Sequence, residues 1–135
     1  MLHKILVVDD EEAVRETIRY QLSGTRYEVI EAQDGEQGIN LLNSEDNHLT
    51  VDVIICDIRM PKIDGIDAIA YFRKEYPSIP VIVLTGYPDV KLAVSLMKQG
   101  IVEHLVKPVA KERLIKEVEK ASRERAFFTG AKIQT

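Results

Sequence analysis

The sequence is short of cysteine, of long apolar runs and of net positive charge, and each shortage closes off a class of protein. A single cysteine, Cys56, set inside an apolar run, allows neither a disulfide framework nor a cysteine-built zinc site within this chain. That fits a reducing cytoplasm. The longest apolar runs are about five residues, against the roughly 20 that a membrane-spanning helix needs, and the N-terminus lacks the apolar stretch of a secretory signal. The expectation is a cytoplasmic protein without a membrane partner. Glycine-rich phosphate loops, dinucleotide fingerprints, internal repeats and low-complexity segments are all missing. A net charge of −4 does not favour direct contact with nucleic acid.

What is present suits one globular domain: 135 residues, 45% hydrophobic and 30% charged. A chain of this size buries roughly two thirds of its unfolded surface, so it needs no disulfide or metal staple. The charge is unevenly spread. From Lys111 onward there are seven Lys or Arg against four Glu, which leaves the first 110 residues strongly acidic.

The dominant pattern is alternation. Short runs rich in Val and Ile ("KILVV", "YEVI", "DVIIC", "PVIVL" and "VEHLV") are separated by stretches with helical spacing. Val14, Ile18 and Leu22 share one helical face, as do Val90, Ala93, Val94 and Met97, and again Leu114, Ile115, Val118 and Ala121. Five strands and five helices result. Asp64 with Gly65 is expected to open the third helix, Pro88 and Asp89 the fourth, and Gly100 to close the fourth. The polar "NSEDNHLT" before the third strand predicts a solvated loop, and "FFTGAKIQT" after the last helix has no clear period. Apolar strands joined through helices predict an α/β three-layer sandwich around a parallel sheet.

Four of the five apolar runs stop at a chemically active residue: Asp9 and Asp10, then Asp57, then Thr85, then Lys107. In an open parallel sheet the carboxyl ends of the strands share one edge, where ligands bind. Each residue also has an ordinary explanation. Acids such as Glu11 and Glu12 complement a helix start, Thr85 can cap or bond a turn, and a lone lysine is usually solvated. Their coincidence on one edge favours a site. Two carboxylates about 4 Å apart repel by roughly 4 kcal/mol at an effective dielectric near 20, so protonation or a cation must offset them. Mg²⁺ matches carboxylate and phosphate oxygens, and zinc is disfavoured without His or Cys beside the acids. An ammonium and a hydroxyl facing such a site suit phosphoryl transfer, with Asp57 able to act as nucleophile and form an aspartyl phosphate.

In order, and over about residues 3 to 123, "VVDDEE", "CDIRMPKIDG", "VLTG" and "HLVKP" resemble the receiver domain of two-component response regulators, of the chemotaxis-regulator-like kind. The resemblance implies a flavodoxin-like sheet in the order 2-1-3-4-5. It implies Mg²⁺, or Mn²⁺ in its place, held by Asp9, Asp10, Asp57 and the backbone carbonyl of Arg59, with Asp10 the more direct ligand. Asp57 becomes the phospho-acceptor, Thr85 the switch hydroxyl, and Lys107 the cation that pairs with the phosphoryl group, ahead of a cis bond to Pro108. A sensor histidine kinase or phosphotransfer protein is the implied donor, and a downstream protein or output domain the implied receiver of the signal. The fourth helix, fifth strand and fifth helix are the implied face for a partner or a homodimer. The protein would be a switch that catalyses only its own phosphorylation and dephosphorylation. Residues 1–125 are expected to form the receiver, and 126–135 a tail or the start of a linker.

One position departs from the family. His104 stands where Tyr or Phe is usual, and as a rotating switch it is expected to make the output pH-sensitive, the alternative being a histidine bonded to backbone. Gly86 leaves room beside Thr85, while bulky Arg59 and Tyr87 are expected to shield an acyl phosphate from water. Three rival functions are a phosphate-independent interaction module, a Mg²⁺-dependent phosphohydrolase and the front of a longer regulator. The first needs a missing site residue, and none is missing. The second generally needs an acid where Arg59 stands.

Overall fold

The computed structural model describes residues 3–59 and 65–134, with side chains described as far as Ala126. Strands β1 (His3–Val8), β2 (Tyr27–Ala32), β3 (Val51–Cys56), β4 (Val81–Thr85) and β5 (Glu103–Val106) form one parallel sheet in the order β2-β1-β3-β4-β5. Helices α1 (Glu12–Gln21), α2 (Gly35–Asn43), α3 (Asn47–Thr50), α4 (Gly65–Glu75), α5 (Val90–Lys98) and α6 (Lys111–Gln134) complete the chain.

The inner strands β1, β3 and β4 are apolar over most of their length because both faces of the sheet are covered there. Leu6, Val8, Ile54, Cys56, Val81 and Val83 point to one face, where they pack with Leu42 of α2, Ala68, Ile69 and Phe72 of α4, and Leu96 of α5. Ile5, Val7, Val53, Ile55, Ile82 and Leu84 point to the other, against Ile18 and Leu22 at α1 and Leu114, Val118 and Ala121 of α6. Each fully buried Val, Leu or Ile contributes about 1.5–3 kcal/mol, so two such layers hold the sheet edge rigidly in place.

Two expectations, on the loop before β3 and on the end of the chain, need correction, and α5 shows which of its faces is covered: Leu96 is buried and Leu92 packs beside it, while Val90, Val94 and Met97 are 80%, 49% and 48% exposed. This helix carries two apolar stripes, and periodicity alone does not say which one meets the sheet. The predicted loop before β3 contains the extra helical turn α3, anchored where Asn47 Nδ2 donates to the Leu41 carbonyl at 2.7 Å. A four-residue turn is too short to show a period. Past Arg125 the chain does not lose its helix, and α6 runs through Gly130 to Gln134. Among the expected caps, Asp89 accepts from Leu92 N–H at 3.1 Å and Gly100 adopts φ +101°, both as sequence chemistry requires. Asp64 lies outside the described residues.

Candidate functional site

Register brings the acids together. Val8 of β1 pairs with Cys56 of β3, so Asp9 and Asp57 leave adjacent strands at the same level. The Asp57 amide still donates to the Val8 carbonyl at 2.9 Å, and the Asp9 amide to the Ala32 carbonyl at 3.0 Å. On the other flank Thr85 pairs with Val106, and the Lys107 amide donates to the Thr85 carbonyl at 2.8 Å. Asp9, Asp57, Thr85 and Lys107 therefore all start from backbone that the sheet fixes.

Asp9, Asp57 and nearby Glu11 converge on the Lys107 ammonium. Lys107 Nζ lies 2.8 Å from Asp9 Oδ2, 3.2 Å from Asp57 Oδ2 and 3.4 Å from Glu11 Oε1. Asp9 and Asp57 are buried, whereas Asp10 and Glu11 are exposed at the mouth. Carboxylate oxygens of Asp9, Asp10, Glu11 and Asp57 all lie within 4.8 Å of one another. Four acids against one ammonium is a charge imbalance that the fold must tolerate. Burial raises the Asp9 carboxyl above its usual range, outweighing the lowering effects of Lys107 and of the Glu11 amide, which donates to Asp9 Oδ1 at 2.9 Å. Burial alone would lower Lys107, but its hydrogen bond to Asp9 and the charges of Asp9 and Asp57 hold it above the usual lysine value.

The donor set is all hard oxygen, with no His or Cys in the cluster, and it fits a hard divalent cation rather than zinc. Asp10, Glu11, Asp57, Arg59, Gly86, Tyr87 and Lys107 line an open cleft of about 420 Å³. The Arg59 guanidinium sits 4.6 Å from the centre of the exposed Tyr87 ring, a cation–π pair at the cleft wall. Thr85 is fully buried, and its Oγ1 accepts from the Tyr87 amide at 3.2 Å, so the hydroxyl presently serves a turn. The bond between Lys107 and Pro108 is cis. A Cβ on Gly86 would meet only the Lys107 side chain, at 3.9 Å, so there is space beside Thr85.

Sequence reasoning missed two members. Glu11 has the sequence position of a helix-entry acid, yet it makes no side-chain cap and turns to Lys107. Gly65 is more than a helix opener. A Cβ there would lie 1.9 Å from the Asp57 carbonyl oxygen, so glycine is what lets α4 pass behind the acceptor. His104 is half-buried on β5, and its Nε2 is buried without a hydrogen-bond partner among the described residues, unlike a histidine bonded to backbone.

The response regulator receiver domain family matches residues 5–119. The chain belongs to that family. The receiver is 34% identical over 132 residues to the transcriptional regulatory protein GlrR of Escherichia coli, covering 96% of this chain and 29% of the relative. It is 37% identical over 112 residues to the response regulator MprA of Mycolicibacterium vanbaalenii, covering 83% of this chain and 47% of the relative. A receiver domain protein from Clostridium thermocellum superposes with a TM-score of 0.85 at 34% identity, over 94% of this chain and 99% of the other. The chain thus spans less than half the length of the two curated relatives. It is a signalling regulator's receiver, and one of the longer relatives is named a transcriptional regulatory protein. No helix among the described residues is long and apolar enough to cross a membrane.

Proposed function

We propose that this receiver accepts a phosphoryl group on Asp57 from a phosphohistidine of a sensor kinase or phosphotransfer protein. The supporting observation is a buried carboxylate at the end of β3, 3.2 Å from an ammonium, beside buried Asp9 and with Asp10 and Glu11 at the mouth of an open cleft. An Asp57 oxygen bonds to phosphorus as the bond from phosphorus to the donor imidazole breaks. The imidazole leaves with the electron pair and takes up a proton from solvent. Lys107 neutralises charge on the transferred group and Thr85 leaves its turn to donate to a phosphoryl oxygen. Asp9, Asp10, Asp57 and the Arg59 carbonyl would hold Mg²⁺ or Mn²⁺, which when bound offsets phosphoryl and carboxylate charge.

In this reading the protein is a switch that turns over only its own phosphate. Residues 1–125 form the receiver, and the continuing helix from 126 is a tail or the start of a linker. Exposed Val90, Val94 and Met97 of α5 with Val106 of β5 give an apolar stripe for a downstream partner or a second copy. The receiver itself makes no direct contact with nucleic acid, and the setting is the cytoplasm.

The test is intact mass after incubation with acetyl phosphate. One added phosphoryl group that requires both Mg²⁺ and Asp57, with Asp57→Asn as control, supports the proposal. A folded protein that gains nothing moves the function to a phosphate-independent module. Two smaller effects follow. Arg59→Ala and Tyr87→Ala should each lose phosphate several-fold faster, because the paired side chains limit water at the cleft, a difference of about 1 kcal/mol; unchanged decay would remove that role. His104→Phe should change partner binding by the phosphorylated form. Identical binding by variant and wild type would end the switching role of His104.

A further inference from the structure

Arg15 lies outside the cleft, yet it reaches the acid pair from behind. From α1 its Nη1 donates to the backbone carbonyl of Asp9 at 2.6 Å, and its Nε donates to Glu31 Oε1 at 3.2 Å. The other Glu31 oxygen pairs with Arg19. Both Arg15 and Glu31 are largely shielded, with side chains 14% and 27% exposed. Glu31 stands on β2 opposite Val7 of β1, so it is anchored to the strand that delivers Asp9. Where β1 leaves the sheet, the Asp9 amide is still held by Ala32, but its carbonyl needs a partner from outside the ladder.

We infer that Arg15, oriented by Glu31, is a positioning residue for the divalent-cation site. The guanidinium fork is planar and fixed in shape, so one group can tie the Asp9–Asp10 peptide to Glu31 with defined geometry. That tie sets the direction in which the Asp9 and Asp10 carboxylates leave the backbone. The inference rests on the metal reading of the acid cluster, and it has a sign that a simple charge effect lacks. As a bare positive charge near a cation site, Arg15 would weaken Mg²⁺ binding, and its removal would strengthen it. As a positioning group, its removal weakens binding.

The experiment is calorimetric titration of Mg²⁺ into wild type, Arg15→Met, Glu31→Met and the double variant, at a temperature where circular dichroism shows each to be folded. The expected result is that each single variant binds Mg²⁺ roughly tenfold more weakly, as is typical when a group orienting a ligand is lost. The double variant should be no weaker than Arg15→Met, because the two side chains act as one unit. Tighter binding by Arg15→Met with weaker binding by Glu31→Met would overturn the inference in favour of plain electrostatics. Unchanged affinity with lowered urea stability would overturn it in favour of a structural ion pair. Folded wild type that binds no Mg²⁺ would overturn the metal reading itself and this role with it.

Discussion

Replacing Lys107 with methionine is expected to destabilise the metal-free protein by roughly 3 kcal/mol at neutral pH, and added Mg²⁺ is expected to restore most of that loss. The Lys107 side chain is only 14% exposed, and its ammonium serves Asp9, Asp57 and Glu11 at 2.8, 3.2 and 3.4 Å. Methionine keeps the length and the apolar stem, so the change isolates the charge. Without it, four clustered acids retain no cation among these contacts. A ligand that binds only the folded state stabilises it in proportion to the logarithm of its concentration over its dissociation constant. The variant should therefore gain more from Mg²⁺ than wild type, because Lys107 no longer competes for the same oxygens. Urea unfolding with and without Mg²⁺ measures both terms. An equal deficit in the two conditions would show that Lys107 and the cation do not share a site.

The pH dependence carries a definite sign. Lys107 is raised above its ordinary value, so its contribution is fully present below the unfolded lysine pKa and is lost only as alkaline pH passes the folded one. Asp9 is also raised, so its ionisation costs stability once pH climbs through the folded value, and the cost is absent below the unfolded one. Two outcomes follow from the same cluster. The Lys107→Met deficit should shrink toward acid pH as the acids protonate. Metal-free Asp9→Asn should be more stable than wild type at neutral pH.

The five central residues were legible because chemistry and periodicity change at the same place. A strand that is apolar on both faces and stops at Asp9, Asp57, Thr85 or Lys107 marks its own end, and a parallel sheet then gathers those ends. The residues that escaped depend on turns and on contacts across the fold. Glu11 follows the acids at a helix start, where capping is the ordinary role, and only the path of the chain out of β1 sends its side chain to Lys107 instead. Arg15 and Glu31 look like solvated charges until β2 is placed beside β1. In α5, Val90, Val94 and Met97 compete with Leu92 and Leu96 for the sheet, and which stripe wins is set by packing against β5 and its neighbours. Spacing fixes that stripes exist. Tertiary packing chooses between them.

Gly65→Ala is the second large effect expected, and its sign opposes the usual rule. Gly65 opens α4, and replacing glycine by alanine at a compatible position normally stabilises by about 0.4–1 kcal/mol through the unfolded chain. Here the new Cβ would lie 1.9 Å from the Asp57 carbonyl oxygen, 2.4 Å from Ile58 Cα and 2.7 Å from the Asp57 carbonyl carbon. All three are backbone atoms, so no rotamer change relieves the contact. Either α4 retreats from the sheet or the segment after β3 moves. The first loosens the packing around buried Ala68, Ile69 and Phe72, and the second displaces the Asp57 carboxylate from Lys107. Overpacking of this kind costs about 1–3 kcal/mol or more. A displacement near 1 Å at a reacting group slows its chemistry by on the order of 100-fold. Urea unfolding together with the rate of phosphoryl incorporation from acetyl phosphate separates the two responses: lost stability with a normal rate means α4 moved, and a slow rate means Asp57 did. Wild-type values for both would show that the close approach of α4 to the acceptor is not part of how the site is built.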